Sequence, residues 1–78
     1  MDVKMLIKLE EALKSIQKAY FVLEQIRDAE EEMSEDLSDN MEFYTQREQA
    51  EQNAYDINSI ILDLDGIICD LKDVVNNN

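Results

Sequence analysis

Asp63 and Asp65, two aspartates separated by one residue, are the side chains whose types and spacing could do chemistry. With Gly66 directly after them, they match the third, fifth and sixth positions of a twelve-residue calcium-binding loop. The first position of that loop would be Ile61 and the twelfth would be Lys72, so the acid that normally closes the loop with two oxygens is missing. The spacing therefore does not predict a calcium site.

The same stretch, residues 60–70, resembles the first motif of the haloacid-dehalogenase phosphatase superfamily, an apolar strand that ends in Asp-x-Asp-Gly. The resemblance implies that Asp63 would attack a phosphate and that Asp65 would act as acid and base, with Mg²⁺ nearby. In that family the motif opens a much longer Rossmann-like domain, whereas only residues 67–78 follow Gly66. A helical repeat also runs straight through the stretch. We therefore expect no enzyme activity.

The composition excludes further kinds of site. The chain has no His, which is the commonest general base and metal ligand, so we expect no metal and no cofactor. The single cysteine, Cys69, cannot form an internal disulfide, and we expect it to fill a small space beside a helix seam. A net charge of −12 disfavours direct nucleic-acid binding. No stretch approaches the ~20 apolar residues of a membrane span, so we expect a cytoplasmic protein without membrane contact.

Two long segments have the periodicity of α-helices, and the 78 residues contain no Pro and one Gly to punctuate turns. In the first segment, apolar residues alternate three and four apart, at Leu6, Leu9, Leu13, Ile16, Tyr20 and Leu23. In the second, the row is Phe43, Arg47, Ala50, Ala54, Ile57, Ile61, Leu64, Ile68, Leu71 and Val75. These rows are the a and d positions of a heptad repeat, so the sequence predicts an all-α, coiled-coil-like fold.

The phase of the two repeats predicts a hairpin rather than one continuous helix. Extending the a positions of the first segment reaches residue 48, one residue out of register with Arg47 in the second. We expect a single domain over 1–78 with helix 1 at about 3–35, a turn at about 36–40, helix 2 at about 40–75 and a frayed Asn tail at 76–78. Asp39 with Glu42, or Ser38, would cap the second helix.

Antiparallel folding pairs residues whose numbers sum to about 77. Leu13 then faces Leu64, and Glu30 faces Arg47, the one polar residue of the second row. The same register brings three lysines beside three aspartates, in the pairs Lys4 with Asp73, Lys8 with Asp70 and Lys14 with Asp63. The sequence therefore predicts an antiparallel two-helix hairpin with opposite charges near its open end.

Each helix has a further apolar row, at heptad position g, which this pairing leaves uncovered. The row is Met5, Ala12, Ala19, Ile26 and Met33 in the first segment, and Ile60, Ile67 and Val74 in the second. We expect a homodimer of hairpins that forms a four-helix bundle, in which Met5, Ala12, Ala19 and Ile26 meet Ile60, Ile67 and Val74 of the other copy. The alternative is that a helix of a different protein docks on these rows.

Negative charge is concentrated at one end of the predicted hairpin. Residues 1–23 hold four lysines against three acids, residues 24–42 hold one arginine against nine acids, and residues 43–78 hold two cations against seven acids. The candidate partner-binding acids are Glu30, Glu31, Glu32, Glu35, Asp36, Asp39 and Glu42. The alternative explanation for these acids is a solvated end that is kept soluble by its charge.

This charge distribution suggests two non-enzymatic functions. In the first, the protein is a small acidic protein-binding module, such as a phage or mobile-element inhibitor, whose acidic end mimics nucleic-acid charge and occludes the basic groove of a partner protein. In the second, it is a structural, adaptor or co-chaperone bundle that acts through its apolar rows.

Overall fold

The computed structural model describes residues 1–36 and 44–78. These residues form two α-helices, α1 over Val3–Asp36 and α2 over Tyr44–Asn76. The corresponding predicted ranges are about 3–35 and about 40–75. Most of the predicted turn, the predicted caps Ser38, Asp39 and Glu42, and the first residue of the second apolar row, Phe43, lie outside the described residues.

Asp2 caps the first turn of α1. The backbone N–H of Met5 donates to Oδ1 of Asp2 over 2.8 Å, and the N–H of Leu6 donates to the Asp2 carbonyl over 2.9 Å. The first N–H groups of a helix have no partner within the helix itself, and an aspartate at this position accepts from one of them through its side chain. Asp2 therefore sets where α1 begins.

The C-terminal asparagines, predicted to fray, are hydrogen-bonded. The N–H of Asn77 donates to the carbonyl of Asp73 over 3.0 Å, and the side-chain amide of Asn78 donates to the carbonyl of Val74 over 2.7 Å. The N-terminal ammonium of Met1 donates to Oδ1 of Asn78 over 3.0 Å. The two termini thus lie side by side, and the helices run antiparallel.

The helices pack along the predicted heptad rows, so the prediction of an all-α hairpin is confirmed. The buried residues are Leu13 in α1 and Ala50, Ala54, Ile61 and Ile68 in α2. The half-buried apolar members of the same rows are Leu6, Leu9, Ile16, Tyr20, Leu23, Ile57, Leu64, Leu71 and Val75. The result is a narrow rod of 59 × 15 × 12 Å with a core along a single seam.

The cross-helix hydrogen bonds reach further along α2 than the predicted register. Nη1 of Arg27 donates to Oδ1 of Asn58 over 2.9 Å, whereas the predicted partner of Arg27 is Ala50. Met1 likewise reaches Asn78 rather than Asn76. The residue numbers joined by these two hydrogen bonds sum to 85 and 79, whereas the predicted register has a sum of about 77. The helices are displaced accordingly.

The predicted lysine–aspartate pairs are wrong. Within residues 1–36 and 44–78, the ion pairs are Arg27 with Asp28, at 3.1 Å, and Arg47 with Glu51, at 3.8 Å. The lysines assigned to α2 aspartates, Lys4, Lys8 and Lys14, are exposed and form no such pair. Their heptad positions point away from the seam, and the register that would have aligned them with the aspartates is displaced.

Candidate functional site

One side of the hairpin has two apolar rows that the seam does not cover. The residues are Met5, Ala12, Ala19, Ile26 and Met33 on α1, and Ile60, Ile67 and Val74 on α2, and we call them the apolar face. All eight are exposed, and the six larger side chains keep between 41% and 49% of their surface accessible. The predicted self-association residues therefore all lie where a partner can reach them.

A cleft between the helices shows that the two rows belong to the same side of the molecule. Met33, from the α1 row, lines this cleft together with Gln46 and Asn53 of α2. Gln46 and Asn53 precede Ile60 by two heptads and one heptad, so they continue the α2 row towards its N terminus. The apolar face is thus apolar along the whole of α1, but on α2 it is apolar only in the half near the chain termini.

The opposite side of the seam is polar. A second cleft there is lined by Glu31, Ser34, Glu51, Ala54, Tyr55 and Asn58. The guanidinium of Arg27 reaches this cleft, where it donates a hydrogen bond to Asn58. Nη2 of the same guanidinium donates to Oδ1 of Asp28 over 3.1 Å. The hydrogen bond to Asp28 raises the pKa of Arg27, so this side chain is a fixed positive charge. The two sides of the hairpin therefore differ in chemistry.

Four of the seven predicted acidic residues lie on one exposed surface of α1. Those exposed on α1 are Glu31, Glu32, Glu35 and Asp36. Glu30 is half-buried because it occupies the seam, and Asp39 and Glu42 lie outside the described residues. Successive residues of an α-helix point about 100° apart, so Glu30, Glu31 and Glu32 face three directions. Glu31, Glu32, Glu35 and Asp36 nevertheless fall within about 140° of each other around the helix, so the four exposed acids share the solvent-facing side of α1 at this end.

At the C-terminal end of α1, Arg27 is the cation that offsets the charge of the described acids. Across the part of the chain that the structure describes, Glu31, Glu32, Glu35 and Asp36 make no ion pair. On α2, the neighbouring Glu51 pairs with Arg47 at 3.8 Å. The result is an acidic end with a single counter-charge on α1.

Two further residues of α1, Arg27 and Ser34, lie in the seam without having been predicted there. Both are half-buried and continue the α1 row beyond Leu23 with the same alternation of three and four. The alternation of three and four residues continues beyond Leu23 in the sequence. It was missed because the row was defined by apolar residues alone, and the last of these is Leu23. An arginine in a seam position reaches across to a polar group such as Asn58, because its long stem can bury while its guanidinium donates.

The stretch that resembles a phosphatase motif lies in the middle of α2. Asp63, Asp65 and Cys69 are exposed, and Gly66 has ordinary helical backbone with no atom within 4 Å of where a Cβ would lie. The expectation that Cys69 fills a space beside the seam is wrong, because Ile68 occupies the seam position and Cys69 follows it onto the outer surface.

Neither a metal site nor a membrane span emerges from the described residues. Among residues 1–36 and 44–78, no group of acidic or cysteine side chains is arranged to hold a metal ion. Neither described helix is long and apolar enough to cross a membrane. Comparison with protein-family models, with curated proteins and with solved structures gives no match to this chain.

Proposed function

We propose that the protein is a non-enzymatic helical interaction module that acts through its apolar face, and that two hairpins join by this face into a four-helix bundle. The observation that carries the proposal is the exposure of eight apolar residues at heptad spacing along one side of the rod. Scattered apolar residues are normal on protein surfaces, whereas a continuous row is typical of an interface.

The surface area of the chain supports association. A compact monomer of 9.1 kDa exposes roughly 4,900 Å², whereas this chain exposes 5905 Å². The excess of about 1,000 Å² is similar to the ~800 Å² that each partner buries in a standard protein interface. One further helical layer on the apolar face would therefore give the chain the surface area that is usual for its mass.

The narrow core points the same way. Five of the described residues are buried, and two of these are alanines. A single small core supplies about 3–5 kcal/mol at best. Covering the six half-exposed large side chains of the apolar face would add about 1 kcal/mol each before the cost of association. Self-association is thus the most direct source of further stability.

Substitution of the apolar face tests the proposal. We expect Ile67→Asp to convert a dimer into a monomer in sedimentation equilibrium, because the new carboxylate would lie in the interface without a partner. Leu62→Asp is the matched control, since Leu62 is 65% exposed but lies outside the apolar face, and it should leave the dimer intact. A monomeric wild-type chain at about 100 μM, or an Ile67→Asp chain that still dimerises, would show that the proposal is wrong.

The acidic end supports a second function, inhibition of a protein with a basic nucleic-acid-binding groove. Exposed carboxylates without ion pairs among the described residues, at Glu31, Glu32, Glu35 and Asp36, favour this function. Such carboxylates attract basic surfaces over distances longer than a contact and raise the rate of association. In this case the hairpin would be a rigid support that presents negative charge.

A charge reversal separates the two functions. If the acidic end is the binding surface, changing its four exposed acids to lysine abolishes capture of a basic partner from extracts of the source cell, without loss of helicity by circular dichroism. Capture by the wild-type protein should also fall steeply as salt is raised. Ile67→Asp serves as the control and should leave capture intact. The opposite pattern, in which the reversed protein still binds and Ile67→Asp does not, assigns binding to the apolar face.

A further inference from the structure

We infer that the two hairpins of the proposed dimer point in opposite directions, so that α1 lies antiparallel against α1 of the second copy with the two-fold axis at Ala19. This inference rests on the proposed function, because it requires that a second copy covers the apolar face. Three observations support it: the distribution of charge along α1, the lysines that form no ion pair with the described residues, and the order of residue sizes in the α1 row.

The charge of α1 changes sign along its length. The five lysines, which are Lys4, Lys8, Lys14 and Lys18 of α1 and Lys72 of α2, make no ion pair with any residue in the described parts of the chain. The last part of α1, residues 24–36, has seven acids against Arg27. At ~1.5 Å per residue, Lys4 lies about 42 Å from Glu32 along the helix, so these opposite charges cannot meet within one copy.

A second copy in the opposite direction brings the charges together. With the axis at Ala19, residues whose numbers sum to 38 are level with each other, so Lys4 lies within two residues of Asp36 of the second copy and Lys8 lies within two residues of its Glu32. Symmetry repeats both pairs at the other end. With the hairpins in the same direction, the two acidic ends would instead lie side by side. The Debye length is about 8 Å at physiological salt, so ends on adjacent helices repel while ends at opposite tips of the rod are screened from each other.

The α1 row has the symmetry that an antiparallel pair requires. Its five residues lie seven apart and are centred on Ala19, with the small Ala12 on one side and the large Ile26 on the other. In the opposed arrangement Ala12 packs against Ile26 of the second copy, Met5 packs against Met33, and Ala19 meets its own copy. The Ala12–Ile26 pair sets a small residue against a large one, and the small Ala19 lets the two helices approach closely at the axis.

The α1 row pairs differently in the two arrangements. In the same-direction dimer, the α1 row faces the α2 row of the other copy, which is the pairing of rows expected from the sequence, and Ala19 lies near Ile60. In the opposed dimer, Ala19 faces Ala19. One substitution therefore distinguishes them, because a cysteine on a two-fold axis lies close enough to its symmetry mate to form a disulfide.

Disulfide trapping tests the inference. In a Cys69→Ser background, Ala19→Cys should give mostly covalent dimer under mild oxidation on a non-reducing gel. Ala12→Cys is the matched control on the same row, and it should give several-fold less dimer because it faces Ile26 of the second copy. Sedimentation of the reduced protein is measured alongside to show that both variants still associate.

The inference is overturned if Ala19→Cys chains do not cross-link with each other but cross-link readily when mixed with Ile60→Cys chains. That result would establish the same-direction dimer and leave the proposed function intact. A chain that sediments as a monomer would overturn the inference and the proposed function together.

A charge exchange gives a second test without cysteine. Lys4→Glu with Lys8→Glu should weaken dimerisation roughly tenfold at low salt, since each of the four pairs at the interface edge is lost or repulsive. Adding Glu32→Lys and Asp36→Lys to the same chain should restore the wild-type dissociation constant. If the fourfold variant is as weak as the double variant, the lysines and acids do not face each other.

Discussion

Tyr44, the first residue of α2, shows how individual contacts organise the acidic end. The guanidinium of Arg47 lies over its ring, 5.0 Å from the ring centroid. A hydrogen bond from its hydroxyl to the Glu48 side chain raises the pKa of Tyr44, because ionisation would remove the donor, and the negative charge of Glu48 raises it further. Arg47 also pairs with Glu51, so this arginine of the α2 seam contacts two residues in the first turns of its own helix.

At the scale of the single residue, we predict that the stability of the fold depends on pH through Tyr44. A pKa that is raised in the folded state means that the hydrogen bond to Glu48 stabilises the fold below about pH 10, the ordinary pKa of tyrosine, and that this stabilisation is lost as the pH rises through the raised value. Glu48→Gln should lower the pKa of Tyr44, measured by NMR titration of the individual tyrosine rings.

Glu51→Gln is the control for this titration. It removes the same charge one turn further along α2, where Glu51 acts on Tyr44 only through a weaker charge interaction. Its effect on the pKa of Tyr44 should therefore be smaller than that of Glu48→Gln. Equal shifts in the two variants would show that net charge, and not the hydrogen bond, sets the pKa.

At the scale of the element, α2 stays helical through Gly66, which is the residue least suited to the interior of a helix. Its φ angle is not positive, and no atom lies within 4 Å of a Cβ placed there, so neither backbone conformation nor close packing requires glycine. Gly66 lies on the outer surface, away from both the seam and the apolar face. Its cost is therefore one of helix propensity alone.

Gly66→Ala should stabilise the protein by about 1 kcal/mol, because alanine loses less backbone entropy on folding than glycine does. Urea denaturation followed by circular dichroism measures the change. Gly66→Ser is the control and should give about half the gain, in line with the lower helix propensity of serine. A loss of stability in Gly66→Ala would mean that another chain approaches α2 at this position, contrary to the placement of the interface on the apolar face.

At the scale of the whole molecule, the rod combines a narrow seam, an exposed apolar face and a net charge of −12. The seam joins the two helices, but the area left exposed is larger than a compact protein of this mass leaves. Negative charge repels other acidic molecules at long range, whereas the apolar face attracts at contact. The fraction of chains that associate through the apolar face therefore depends on protein concentration.

Thermal stability should therefore increase with protein concentration. For a chain that folds as a dimer, a tenfold increase in concentration stabilises the folded state by about 1.4 kcal/mol, which raises Tm by several degrees for a protein of this size. Differential scanning calorimetry over a hundredfold range of concentration measures the slope. The Ile67→Asp chain should show a lower Tm that does not change with concentration, and a wild-type Tm that is equally constant would exclude the dimer.

The heptad spacing alone determined much of this protein. It predicted two helices, their antiparallel packing, the rows that form the seam and the rows that remain exposed. These features follow from the sequence because the 3.6-residue repeat is a local property that assigns each side chain to one face of its own helix. The same spacing located Met5, Ile26, Ile60 and the rest of the apolar face, which are the residues on which the proposed function depends.

The axial offset between the helices was decided only by the tertiary structure. Spacing within a helix is unchanged when the neighbouring helix slides along it, so the sequence could not distinguish Ala50 from Asn58 as the partner of Arg27. In the structure α2 is offset from the predicted register, the long Arg27 side chain reaches Asn58, and the expected lysine–aspartate pairs are not made. These lysines consequently have no ion pair within the described residues, because the positions of charges relative to each other depend on how the helices are brought together.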